Sequence, residues 1–181
     1  FLIFCTLVFS RGMAERGTVV LTFFFLIIAG YSYMTYARNK VWKTEETLWL
    51  DVIAKSPGKA RPKVNLGKYY VDLRRPDKAY PLFLEAEKIN PSYFDAVQNA
   101  AVCEVAMGNF DEALVHVSKA LMLDSSRART YFTEGLAYQG KKSWPEAVVS
   151  FTNALRVDSL FIKSYAKRGY CYGSMNNWPA A

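Results

Sequence analysis

The chain has 181 residues, 51% of them hydrophobic and 15% aromatic, with a formal net charge of +7. That length allows one packed domain and a membrane segment. The basic excess is dispersed among acidic residues, with no block of five like charges and no stripe of cations interleaved with aromatics, which argues against a nucleic-acid partner.

The N-terminal end is apolar. Residues 1–9 (FLIFCTLVF) are too short to cross a bilayer and are expected to be the tail of an earlier membrane helix. Residues 10–17 (SRGMAERG) would then form a short loop before the next helix. Residues 18–37 carry no charge and span about 30 Å as a helix, the thickness of a hydrocarbon core. They are expected to be a transmembrane helix, because the run is too long for a cleaved signal and no small-residue cleavage site follows it. Tyr31, Tyr33, Tyr36 and Trp42, beside Arg38, Lys40 and Lys43, make an interfacial anchor. Arg11 and Arg16 favour the cytoplasm for the short loop, so the rest of the chain is expected on the extracytoplasmic side, periplasmic or luminal. A first residue other than Met within an apolar run, and a last residue within a helical pattern, suggest a piece of a longer polypeptide.

Residues 38–59 form a junction. Within it 43–56 (KTEETLWLDVIAKS) reads as a lone helix. Thr44 is a candidate N-cap, and Glu45 and Glu46 suit the helix dipole. A capping box asks for Glu or Gln three residues on, where Thr47 stands. The short connection to the membrane helix would keep the remainder of the chain close to the bilayer surface.

From there the chain repeats itself. Gly67, Ala101, Gly135 and Gly169 stand 34 residues apart, as do Ala79, Ala113, Ala147 and Ala181. Tyr70, Glu104, Tyr138 and Tyr172 keep that step, and so do Phe83, Val117 and Phe151, then Ala86, Ala120 and Ala154. Trp49 and Pro57 fall one period before Phe83 and Pro91, so the lone helix is the second helix of an incomplete unit. The units are 60–93, 94–127, 128–161 and a partial 162–181. Each reads as helix A, a turn and helix B, with helix A at 60–73 and helix B at 76–89 in the first. Arg75-Pro76-Asp77 starts helix B with proline at its first position, and Pro91 ends it. Gly108-Asn109 and Gly140 mark the turn in the next two units, and Pro145 and Pro179 follow Trp144 and Trp178 at helix starts. Small residues let the paired helices approach, while the aromatic column and the Ala86 column fill the contact with the next hairpin. Cys103 and Cys171 occupy one repeat position two units apart, too distant for a disulfide, and are expected to be buried.

A period of 34 residues with these columns resembles the tetratricopeptide repeat (TPR). The resemblance implies an all-α chain: a transmembrane helix followed by a TPR helical-hairpin solenoid, wound as a right-handed superhelix. It also implies that positions two, five, six, nine, twelve and thirteen of each helix A face a concave groove. Those positions supply Arg61, Asn65, Lys68 and Asp72, then Asp95, Gln98 and Asn99, then Arg129, Phe132 and Gln139, and finally Lys163, Lys167 and Tyr170. Cations outnumber carboxylates in this set, so the expected partner is a protein or extended peptide, acidic in character. Asn65 and Asn99 share a position, where paired amides could hold a peptide backbone. Asn65, Lys68 and Asn99 match part of the pattern of TPR domains that bind C-terminal carboxylates, whereas Val64 and Val102 depart from it.

Residues 38–70 are similar to a junction in membrane proteins of another kind, the transmembrane and TPR-containing O-mannosyltransferases and their bacterial relatives. Arg38-Asn39, Trp42, Glu45, Leu48-Trp49, Pro57, Arg61 and Asn65-Leu66-Gly67 carry that likeness. Met13-Ala14-Glu15-Arg16 resembles their Ala-Glu-Arg motif, with Gly17 where a tyrosine usually follows. The family's catalytic acidic residues lie in loops that nothing here matches, so no activity transfers.

No catalytic residue, metal or cofactor is expected. There is one histidine, His116, and no CxxC pair, GxxxxGK[ST] or GxGxxG motif. His116 is expected to be a partly exposed helix residue. The expected function is a membrane-anchored TPR scaffold for protein–protein interaction or complex assembly, with the bilayer and other membrane subunits as further partners. The alternative is the C-terminal TPR part of a multi-span membrane glycosyltransferase.

Overall fold

The computed structural model describes the backbone of residues 2–176 and the side chains of 20–40 and 42–175. The chain separates into two units, 1–48 and 49–181.

In the first unit α1 (Leu2–Val41) is a single unbroken helix. The loop expected at 10–17 is therefore absent as a break. Gly12 and Gly17 each weaken a helix by only about 1 kcal/mol, Met13 to Arg16 between them are good helix formers, and no proline interrupts. The stretch Val20–Lys40 is long and apolar enough to cross a membrane by length and composition, and none of it is buried against protein. Tyr31, Tyr33 and Tyr36 are exposed, and the Arg38 guanidinium lies 4.4 Å from the centre of the Trp42 ring. At the start of α2 (Glu45–Lys55), the Thr47 amide donates to Thr44 Oγ1 at 3.2 Å. The Thr44 amide donates back to Thr47 Oγ1, also at 3.2 Å. Threonine thus completes a reciprocal cap that usually needs Glu or Gln.

The second unit stacks helical hairpins. They are α3 (Ala60–Asp72) with α4 (Pro76–Ile89), α5 (Phe94–Met107) with α6 (Phe110–Leu123), and α7 (Ala128–Gly140) with α8 (Trp144–Val157). The A helix α9 (Ile162–Asn176) follows. The helix start expected at Trp178-Pro179 lies outside the described residues. Trp49 and Ile53 of α2 pack against the first core, around Val64, Leu66 and Phe83. They cover an apolar face that one hairpin cannot bury alone.

The small-residue and large-residue columns are complementary within each hairpin. A Cβ added at Gly67 would lie 2.6 Å from Phe83 Cε1, and one at Gly135 would lie 2.5 Å from Phe151 Cε1. In the middle hairpin the glycine is Ala101, and its partner is the smaller Val117. Phe83 therefore rests on its own helix A as well as sharing a core with Ala96 and Ala100 of the next hairpin.

The turns inside the hairpins also repeat. Arg74 (φ 56), Gly108 (φ 85) and Lys142 (φ 60) are left-handed at one repeat position. After each, an amide reaches back to close the helix: Arg75 to the Tyr70 carbonyl, Asn109 to that of Glu104 and Ser143 to that of Tyr138. Gly140 is not part of this turn. It ends α7, where its missing side chain admits the Phe110 ring, 2.2 Å from where a Cβ would stand. Between hairpins, Asn90, Asp124 and Asp158 form another column. Each side chain accepts the amide two residues on, at Ser92, Ser126 and Leu160.

Candidate functional site

Helix α3 lies against α5, and α5 against α7, so the A helices form one face. Arg61 is exposed on it, and Asn65 is half-buried. Lys68 Nζ donates to Asp95 Oδ2 at 2.6 Å, which joins α3 to α5 and neutralises both charges.

Gln98 and Asn99 are each only 3% exposed. Gln98 Nε2 donates to Thr133 Oγ1 at 3.0 Å, and that hydroxyl donates to the Arg129 carbonyl at 2.9 Å. Asn99 Nδ2 donates to the Asp95 carbonyl at 2.6 Å, and its Oδ1 accepts a long 3.3 Å bond from Arg129 Nη2. These amides couple α5 to its own backbone and to α7. The pair of peptide-gripping amides expected at Asn65 and Asn99 is thus not assembled, because position six of the second repeat is inside the helix contact.

Further along, Phe132 and Gln139 are half-buried, Arg129 and Lys163 exposed, and Lys167 half-buried. Tyr170 meets Trp144 edge-on at 6.1 Å between ring centres. Neither Lys163 nor Lys167 forms a salt bridge among the described residues.

Between α5, α7 and the start of α9 lies a hollow of about 410 Å³. Val102, Val105, Phe132, Leu136 and Phe161 line it, with Arg129, Thr133 and Lys163 as its polar groups. Phe161 holds Phe132 in place, edge to face at 5.2 Å. A smaller hollow of about 310 Å³, bordered by Val71, Arg74 and Pro76, shares Val102. Val102, Val105 and Leu136 were not among the groove residues expected from sequence, nearly all of them polar. Their signal was the ninth position, where Lys68 is followed by Val102 and Leu136, and the twelfth, where Val105 stands.

A family model for the tetratricopeptide repeat matches residues 60–93. A solved fragment of MamA from Desulfovibrio magneticus RS-1 superposes with a TM-score of 0.68, covering 81% of this chain and 84% of that one at 19% identity. YrrB, described as a TPR protein with an unusual peptide-binding site, gives 0.65, covering 74% and 69% at 19% identity. The first TPR domain of Spaghetti (RPAP3), solved with the HSP90 peptide SRMEEVD, gives 0.62, covering 66% and 94% at 17% identity. The fold is a TPR solenoid. No curated protein sequence matches the chain.

One polar cluster of this TPR solenoid lies away from the hollow. Glu104 stands where three other units have tyrosine, and it is fully buried. Tyr80 Oη donates to its Oε1 at 2.8 Å, and His116 Nδ1 lies 2.8 Å from its Oε2. His116 Nε2 is 3.4 Å from Glu87 Oε2, and Lys119 pairs with Glu87. The hydrogen bond to Glu104 raises the His116 pKa above its ordinary value, against the opposing effect of burial. Burial pushes the Tyr80 phenol up to about 12, helped by Glu104. His116 is the partly exposed helix residue expected, and it is also the partner of a buried carboxylate, which the sequence did not announce. The step 70, 104, 138, 172 gave notice of the oddity, but not of Tyr80 and His116 as its partners. Burial also pushes the Cys103 thiol up to about 12. Cys103 and Cys171 are both buried and unpaired, so neither is a reactive site.

Proposed function

We propose that this protein is a membrane-anchored TPR scaffold that holds a partner protein, or another membrane subunit, against its A-helix face. The observation that carries this reading is the open hollow over α5, α7 and α9, apolar in its floor and cationic at its edge. Such a concave, mostly apolar site with few polar groups is what a protein surface offers a ligand. Two of the similar folds are described with peptides or a peptide-binding site, which supports the use of this face for a polypeptide. The apolar run Val20–Lys40 supports membrane anchoring, with Tyr31, Tyr33, Tyr36, Arg38 and Trp42 at the interface. The short arginine-bearing segment before it favours an extracytoplasmic array.

A photo-crosslinking amino acid placed at Asn65 or Lys167, on the A helices, should give a discrete protein adduct in native membranes. The same group at Met122, exposed on helix α6, serves as the reference. Equal adducts from both faces, or none from either, would sink the proposal. For topology, a cysteine at exposed Ser125, in a chain whose native cysteines are replaced, should react with a membrane-impermeant maleimide in cells with an intact inner membrane. Reaction only after permeabilisation of that membrane would place the repeats in the cytoplasm.

A further inference from the structure

The hollow has a charge pattern specific enough to describe its ligand. Arg129 and Lys163 are the second residues of α7 and α9, one 34-residue period apart. Both are exposed, and both line the hollow. No carboxylate lines it. Asp95, the second residue of α5, is held by Lys68 at 2.6 Å. Among the described residues, Arg129 has only the long 3.3 Å side-chain bond to Asn99. Thr133, the remaining polar group, already donates to the Arg129 carbonyl and accepts from Gln98. The polar recognition is thus left to two cations, while Phe132, Leu136 and Val105 offer an apolar floor.

We infer that this site takes an internal, extended segment of a protein in which two carboxylates bracket bulky apolar side chains. The inference rests on the A-helix face being the partner site. Neighbouring A helices lie about 10 Å apart, and an extended chain in the polyproline II conformation has three residues per turn and rises about 3.1 Å per residue. Carboxylates three residues apart then point the same way and match cations one repeat apart. The two intervening side chains flank that row, where the apolar residues of the hollow lie beside the cations. A free C-terminus is not needed, because the two cations stand on successive A helices rather than at one point.

The test uses the full chain in dodecyl maltoside and a fluorescein-labelled, C-terminally amidated peptide, GSDLFDGSG. Anisotropy should show binding that weakens about tenfold or more when both aspartates become asparagine, as expected for losing charge-assisted hydrogen bonds. A similar loss should follow when Leu-Phe becomes Ala-Ala. Arg129→Glu with Lys163→Glu should reverse the preference toward the peptide with lysines for aspartates. Lys163→Glu alone, which breaks no hydrogen bond among those described, should lower affinity several-fold with an unchanged far-UV spectrum.

Equal binding of the acidic, amide and basic peptides would overturn the inference. So would displacement by short-chain phosphatidylserine as effective as by unlabelled peptide, which would assign the cations to a lipid. If no peptide binds while the Asn65 crosslink still forms, this ligand assignment fails and the scaffold reading stands. If the crosslink is absent as well, both fail.

Discussion

Replacing Gly67 by alanine would put a methyl 2.6 and 2.7 Å from Phe83 Cε1 and Cζ. Carbon atoms in contact prefer about 3.5–4.0 Å, so the ring must retreat by close to an ångström. Phe83 is fully buried and has no solvent to retreat into. Overpacking of this kind costs about 1–3 kcal/mol. Alanine returns up to about 1 kcal/mol of helix propensity, so the net loss should be about 1 kcal/mol. Phe83→Val alone should cost less than the roughly 3–5 kcal/mol of a Phe→Ala change, and more than the glycine change. The double variant recreates the Ala101 and Val117 pairing already present in the next hairpin. Its methyl partly fills the space the ring leaves. The pair should therefore be coupled by about 1–3 kcal/mol in the stabilising direction. Denaturant unfolding followed by far-UV circular dichroism measures this, with all four proteins compared at one probe because repeat arrays need not unfold in two states. Losses that add within about 0.5 kcal/mol would refute the idea that the columns are matched in pairs.

Lys142→Gly should raise stability by about 1 kcal/mol, since the left-handed backbone at φ 60 strains any residue with a Cβ. Gly108→Ala, at φ 85, should lower it by a similar amount, both changes being read as denaturant midpoints against the parent chain. The His116 pKa is raised by folding, so its contribution is complete below its ordinary value near 6.5 and fades as pH rises through the folded value. Unfolding midpoints should decline between mildly acidic and mildly alkaline pH, and His116→Gln should flatten that decline. Cys103 and Cys171 should resist alkylation by iodoacetamide in a Cys5→Ser background until denaturant is added. Labelling of the folded chain at neutral pH would contradict their burial.

The solenoid was legible because its signals are covariant spacings. Gly67, Ala101 and Gly135 share a column for one steric reason, and that reason survives in one dimension. The left-handed column was half hidden, since only Gly108 announces it while Arg74 and Lys142 adopt the same backbone without glycine. Gly140 misled for the opposite reason, being small to admit Phe110 from the preceding hairpin. The hollow was harder still. Position numbers identify the residues that share a face, but not the depth at which Gln98 and Asn99 disappear into the α5–α7 contact. They do not tell that Val102 and Leu136 become the floor. The unbroken course of α1 was missed because a charged, glycine-flanked segment looks like a loop when nothing around it is known.

Glu104 has a consequence for how the array is assembled. Stacks of look-alike hairpins can in principle slip by one unit, because each shares its columns with its neighbours. The second unit cannot slip without loss. Its carboxylate takes one partner, His116, from its own hairpin and the other, Tyr80, from the unit before it. The residues equivalent to Tyr80 are Leu114 and Val148. A mispaired stack would set one buried carboxylate oxygen against aliphatic carbon in place of the phenol, at a cost of about 1–3 kcal/mol. One acidic residue in a column of tyrosines thus acts as a key cut for a single lock, setting the order in which otherwise interchangeable parts fit together.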